Sequence, residues 1–181
     1  MEAGVTIILE GGTVKRFTHD DLVAVAAEWL QRNRCPVVIT EMVTTGEIPD
    51  AIGFSHAGIT TLIECKVSRS DFLRDANKVF RKYQEEGLAR YRYYMAPKGV
   101  ITPNDVHKGW GLIVVNENGR TRRTVMAEFQ EQRDRAHRKE IGLLVSAMRR
   151  LSATATGINV KVYQIENSTK TTIGIEPETI V

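Results

Sequence analysis

Three short apolar segments, Val37–Met42, about Glu47–Phe54 and Ile59–Lys66, follow one another with little between them beyond Gly46 and Ser55–Gly58. An amphipathic helix pattern flanks this triplet on each side. Upstream, Thr18 with Asp21 three residues later reads as a capping box. Leu22, Ala26, Trp29 and Leu30 then share one face, and Asn33 to Pro36 ends the helix. Downstream, Ser70 is a good N-cap with Asp71 in the first turn. Phe72, Ala76, Val79, Phe80 and Tyr83 follow as an apolar stripe at helical spacing. Tyr91–Ala96 reads as a strand closed by Pro97. The order over about residues 19–97 is αβββαβ, which predicts an α/β core around a mixed central sheet.

The remaining segments read as additions to that core. Val5–Glu10 and Thr13–Phe17 flank Gly11-Gly12 and predict an N-terminal hairpin, since glycine accepts positive φ. Gly109–Asn116 and Thr121–Phe129 read as a strand pair turning at Asn118-Gly119. A helix over about Arg133–Leu151 is expected to point Ile141, Leu144, Val145, Met148 and Leu151 inward. Ile158–Ile165 and Thr171–Ile175 suggest a terminal hairpin. With no repeat or long polar linker, residues 1–181 are read as one domain, with the core at about 19–97 and a C-terminal elaboration at about 100–181.

Composition narrows the class. No apolar run approaches the roughly 18 residues of a membrane span, and the first residues lack the pattern of a secretory signal. Cys35 and Cys65 show no CxxC spacing, which argues against a disulfide scaffold or zinc ribbon and for a reducing cytoplasm. The net charge of +3 is unevenly spread: −4 over residues 1–60, +3 over 61–119 and +5 over 120–150. An acidic first third before a basic middle suggests clustered carboxylates and a surface for polyanions.

The chemistry concentrates in Pro49-Asp50, then thirteen residues, then Glu64-Cys65-Lys66. Glu64 and Lys66 are two apart, so on a strand both point to one face. Antiparallel pairing of the Asp50 and Glu64 strands would gather two carboxylates and an ammonium at a sheet rim. Two such carboxylates repel unless a cation lies between them, and oxygen donors favour Mg²⁺ or Mn²⁺ over zinc. A lysine beside that cation can orient a water or neutralise charge building on a phosphate. Cys65 points to the other face as a core residue, though its backbone carbonyl could still ligate the metal. His19, His56, His107 and His137 are scattered without ligand spacing, and no GxSxG, GxxxxGK[ST] or GxGxxG motif occurs.

Asp50 followed by Glu64-Cys65-Lys66 within αβββαβ resembles the PD-(D/E)XK nuclease superfamily, with Pro49-Asp50 as the literal "PD". Glu64 through Phe72 is similar to the E-x-K-x-S-R-x-D-F segment of its MmcB-like DNA-repair branch. Ile39-Thr40-Glu41 and Tyr93-Tyr94-Met95-Ala96-Pro97 also match that branch. The resemblance covers roughly residues 20–97.

That resemblance implies a restriction-endonuclease-like core and a Mg²⁺- or Mn²⁺-dependent nuclease hydrolysing DNA, in repair, recombination or phage DNA processing. Asp50 and Glu64 would hold the metal, and Lys66 would assist the attacking water. The expected products carry a 5′-phosphate and a 3′-hydroxyl. For a further carboxylate, Glu41 is favoured and Glu28, on the first helix, is the alternative. Ser68, Arg69, Arg74, Lys78 and Arg81 are candidates for nucleic-acid contact, with capping of the helix as the competing reading of Ser68 and a solvated helix face as that of the last three. Arg120, Arg122, Arg123, Arg133, Arg135, Arg138 and Lys139 form a second basic region. Tyr91, Tyr93 and Tyr94 suit either base stacking or the core. Duplex, branched and single-stranded DNA, and RNA, stay open as substrates, and two copies could pair through the C-terminal third. The rival reading is a non-catalytic nucleic-acid-binding or inhibitory module on the same fold.

Overall fold

In the computed structural model, residues 17–42, 48–75 and 87–152 are described. The expected hairpins at 5–17, except Phe17, and at 158–175, the stripe from Ala76 to Tyr83, and Lys78 and Arg81 lie outside the described residues. The elements run α1 (His19–Arg32), β1 (Val37–Thr40), β2 (Ala51–Phe54), β3 (Thr60–Cys65), α2 (Arg69–Asp75), β4 (Tyr91–Pro97), a 3₁₀ turn (Pro103–Asp105), β5 (Gly111–Val115), β6 (Thr121–Val125) and α3 (Asp134–Ser152). The expected α/β class and mixed sheet are both present.

The capping box forms as the sequence suggests. Thr18 Oγ1 accepts the Asp21 N–H at 3.1 Å, while Asp21 Oδ2 accepts the Thr18 N–H at 2.9 Å. At the other end of α1 the Asn33 side chain donates to the Trp29 carbonyl, which stops the helix. Leu22, Ala26, Trp29 and Leu30 are buried, as their spacing predicts.

The six strands lie in the order β1-β2-β3-β4-β5-β6. The β1–β2, β2–β3 and β5–β6 pairs are antiparallel, the last two across five-residue turns. The β3–β4 and β4–β5 pairs are parallel, and each is joined by the longer crossover that parallel strands require. Side chains alternate between two cores. One core packs α1 against Val38, Ala51, Ile63, Cys65, Met95 and Ile113. The other gathers Ile39, Ile52, Leu62, Tyr94 and Leu112 beneath Phe72 of α2 and Leu143 and Ala147 of α3. Gly53 permits the first of these: a Cβ there would lie 2.7 Å from the Cys35 Cβ and 3.0 Å from Leu30 Cδ2.

The orientation of α3 corrects the sequence reading. Ile141, Val145 and Met148 are exposed at 49%, 51% and 68%, and the buried side is Ala136, Glu140, Leu143 and Ala147. Glu140 explains the rotation. Its Oε1 accepts from Thr60 Oγ1, the Ala89 N–H and Gln132 Nε2, so a carboxylate takes a core position that apolar spacing assigns to its neighbours.

Both thiols are buried. Burial raises the Cys35 thiol from its ordinary value near 9 to about 11, against a small opposing effect of a hydrogen bond with Thr61. The unfolded chain therefore releases this proton first, and stability falls as pH rises between those two values. The loss is at most about 1.4 kcal/mol per pH unit for one thiol. Urea unfolding at pH 8, 9.5 and 10.5 should show a shallower decline in Cys35→Ala than in the parent. Equal slopes would mean that Cys35 titrates alike in both states.

Candidate active site

Register alone assembles the centre. Thr40 pairs with Ala51, and the Glu41 N–H bonds to the Asp50 carbonyl at 3.1 Å. Ala51 in turn pairs with Ile63, so the next residues, Asp50 and Glu64, are opposite each other. Glu41, Asp50 and Glu64 thus form one row across three neighbouring strands, at about 4.8 Å per strand. The parallel register of β3 with β4 adds Tyr94 beside Glu64. The row lies at the end of the sheet where β1 and β3 finish and β2 begins.

Asp50 was expected inside a strand beginning near Glu47, but β2 begins at Ala51. Standing just before the strand, Asp50 turns one carboxylate oxygen to the Cys65 N–H, which donates to Oδ2 at 2.7 Å. The residue that leads into β2 is thereby pinned to the end of β3. Glu41 has a φ of 50°, a left-handed conformation uncommon outside glycine, which ends the alternation of β1.

Glu64 and Lys66 share a face, as their spacing requires. Lys66 Nζ donates to Glu64 Oε2 at 3.3 Å, and the two residues are only 5% and 2% exposed. Charges at such depth need partners, and each supplies one for the other. Asp50 and Glu41 are more open, with side chains 19% and 46% exposed. The Cys65 thiol faces the α1 core and registers the charges around it. Burial raises it well above the ordinary range, the carboxylates of Asp50 and Glu64 push the same way, Lys66 opposes them and Glu41 adds a little. One buried sulfur thus senses all four predicted side chains.

His19, read from the sequence as a scattered histidine, belongs to this cluster. Its Nε2 lies 3.6 Å from Asp50 Oδ1 and 3.9 Å from Glu41 Oε1. It opens α1, and α1 leads by a short loop into β1, so the first turn of the helix returns beside the end of that strand. This antiparallel helix–strand pairing was the available signal. Sequence separation concealed it.

The remaining candidates divide. Glu28 follows His19 by nine residues, about 13 Å along the helix axis, and its carboxylate pairs with Arg32 at 2.9 Å. The structure places it away from the row. Ser68 accepts the Asp71 N–H at 3.2 Å and caps α2, as its capping reading has it, while Ser70, the other cap candidate, lies inside the helix. Arg69, expected at a nucleic acid, is engaged by both carboxylate oxygens of Asp105. That guanidinium, with the Thr102 hydroxyl and N–H, holds the Asp105 carboxyl well below its ordinary range. Arg74 is exposed and lies 3.8 Å from Asp71. Tyr93 and Tyr94 are core residues, and the Tyr94 hydroxyl meets His107 Nδ1 at 3.1 Å, so neither presents a ring for stacking.

The donor chemistry can be weighed against a divalent cation. Among the described residues no three His, Cys, Asp or Glu side chains form a ready metal-holding group. Mg²⁺ commonly binds through one or two carboxylates and keeps several waters. Asp50, just before β2, and Glu64, opposite it in β3, fit that requirement, with the Cys65 backbone carbonyl as a neighbouring hard donor.

Among solved structures, the chain is similar to the SPO1766 protein of unknown function from Silicibacter pomeroyi. The two share 24% identity and a TM-score of 0.56, over 72% of this chain and 86% of that one. The likeness supports the α/β fold. Neither the protein-family models nor the curated proteins contain a match. Among the described residues no helix is long and apolar enough to cross a membrane.

Proposed function

We propose that the protein is a metal-dependent nuclease of the PD-(D/E)XK type, hydrolysing phosphodiester bonds of DNA on a restriction-endonuclease-like core. The observation that carries this reading is the row of Glu41, Asp50 and Glu64 across three strands, with Lys66 beside its buried end. Asp50, Glu64 and the Cys65 carbonyl would hold Mg²⁺ or Mn²⁺, which when bound polarises a phosphoryl oxygen and acidifies a water. Glu41 completes the anionic shell on its exposed side. Lys66 directs an ammonium to the same place, where it orients the attacking water and offsets charge gathering on the phosphate. Water oxygen bonds to phosphorus as the bond to the 3′ oxygen breaks. The leaving oxygen takes a proton, giving a 5′-phosphate and a 3′-hydroxyl.

The burial of Glu64 and Lys66 as a direct ion pair favours one second reading, a non-catalytic nucleic-acid-binding or inhibitory module that keeps the pair as a structural bolt. A cleavage panel separates the two. Duplex, single-stranded, flapped and four-way DNA, and RNA, would each be incubated with Mg²⁺, Mn²⁺ or EDTA. Cleavage of DNA with either metal and none in EDTA is the expected result. Tight binding without turnover on every substrate would transfer the reading to the module.

A further inference from the structure

Of the basic residues that the sequence assigns to nucleic acid, Arg69 is engaged by Asp105, and exposed Arg74 lies 3.8 Å from Asp71. β6, at the edge of the sheet among the described residues, differs. Arg120, Arg122 and Arg123 are exposed, and among the described residues none of them forms an ion pair.

Register sorts these three by face. Val114 pairs with Arg122 and Ile113 with Arg123. Val114 packs against the core shared by Tyr94, Leu112 and α3, whereas Ile113 lies in the core beneath α1. Arg122 therefore stands on the face that carries Glu64 and Lys66, and Arg123 on the opposite one. Asn116 and Arg120 close the β5–β6 turn with an N–H to carbonyl bond of 2.9 Å, which continues the register and returns Arg120 to the face of Arg122.

The rows extend across the sheet. Cys65 pairs with Met95, and the Lys66 N–H bonds to the Met95 carbonyl, so Lys66 is level with Ala96. Ala96 pairs with Val114, and Val114 with Arg122. Lys66 and Arg122 thus occupy one row, three strand spacings apart, or about 14 Å. Duplex DNA advances about 3.4 Å per nucleotide of one strand, so that interval corresponds to about four nucleotides. Arg120 lies one step further toward the sheet end that carries the carboxylate row. Exposed Lys98 is there too, its N–H bonded to the Val115 carbonyl.

We infer that Arg120 and Arg122 form a binding track for the phosphodiester backbone of a nucleic acid, which they hold about four nucleotides from Lys66. The inference rests on the nuclease reading for its ligand class, and it places electrostatic contacts on β6. Arg123, on the same strand with the same charge and exposure but the other face, lies outside the track.

The test is binding of a fluorescein-labelled 30-base-pair DNA duplex in EDTA, followed by anisotropy between 50 and 200 mM salt. Single-stranded DNA and duplex RNA serve as parallel arms to identify the source of the backbone. Removing two duplex phosphate contacts in Arg120→Ala/Arg122→Ala should flatten the log–log salt slope by about 1.8. The affinity at 50 mM salt should fall on the order of a hundredfold. Arg123→Ala should match the parent, and Arg122→Lys should recover most of the slope contributed by that position. Equal losses in Arg123→Ala and Arg122→Ala would overturn the assignment by face, as would a parent that binds none of the three nucleic acids. Cleavage by the parent with an unchanged slope in the double variant would defeat the track and leave the nuclease reading standing. A flattened slope in the double variant, with a parent that cuts nothing, would do the reverse.

Discussion

Lys66→Met is expected to slow cleavage by about 10²–10³-fold, because the water loses its positioning group and the phosphate loses a cation where charge develops. Methionine keeps most of the side-chain volume at a residue that is only 5% exposed. The substitution has a second consequence that follows from burial. Glu64 is 2% exposed with Lys66 Nζ 3.3 Å away, so removing the ammonium takes an ion-pair partner from a buried carboxylate. Breaking a buried pair from one side costs about 3–5 kcal/mol. Activity is therefore read at a temperature where circular dichroism shows the variant folded. Saturating Mn²⁺ should restore much of the lost stability by occupying the carboxylates, and more than it stabilises the parent, yet leave cleavage slow. That split separates a group acting on the reaction from a bolt that only holds the sheet. Lys108→Ala, an exposed loop lysine, should cleave as the parent does. A folded Lys66→Met that cuts at the parent rate would remove Lys66 from the chemistry.

The order of elements and the Asp50/Glu64 pairing were legible because both follow from short-range rules. Turns of a few residues impose antiparallel neighbours, and a period of two puts Glu64 and Lys66 on one face. The capping box at Thr18 is equally local. What the sequence concealed depends on contacts between distant elements. His19 reaches Asp50 only because α1 doubles back along β1, and nothing in its neighbourhood marks it. Glu140 lies in the core because Thr60, Ala89 and Gln132 all donate to it, so the apolar stripe of Ile141, Val145 and Met148 faces outward against the rule of amphipathic spacing. Arg69 reads as a phosphate ligand until the loop carrying Asp105 folds onto it. In the last two cases a buried or bidentate polar contact overrides a pattern that counts only hydrophobic residues and charges.

Asp50→Asn is the sharper probe of the metal site, since it changes charge with little change of shape. The Asp50 Oδ2 oxygen accepts the Cys65 N–H at 2.7 Å, and an asparagine can present its single amide oxygen to that same donor. The anchor between the residue that leads into β2 and the end of β3 therefore persists, and thermal stability should stay close to that of the parent. The variant loses the formal negative charge and the second anionic oxygen, the one 3.6 Å from His19 Nε2. With two carboxylates as the main protein attraction for a hard divalent cation, loss of one should weaken Mn²⁺ binding at least tenfold by titration calorimetry. Glu41→Gln should weaken it less, because that side chain is 46% exposed and its charge is screened by water. The order of effects, Asp50 before Glu41, follows from depth along one row of the sheet. Unchanged Mn²⁺ affinity in a folded Asp50→Asn would place the cation elsewhere, and the carboxylate row would then be only the structural seam that joins β1, β2 and β3.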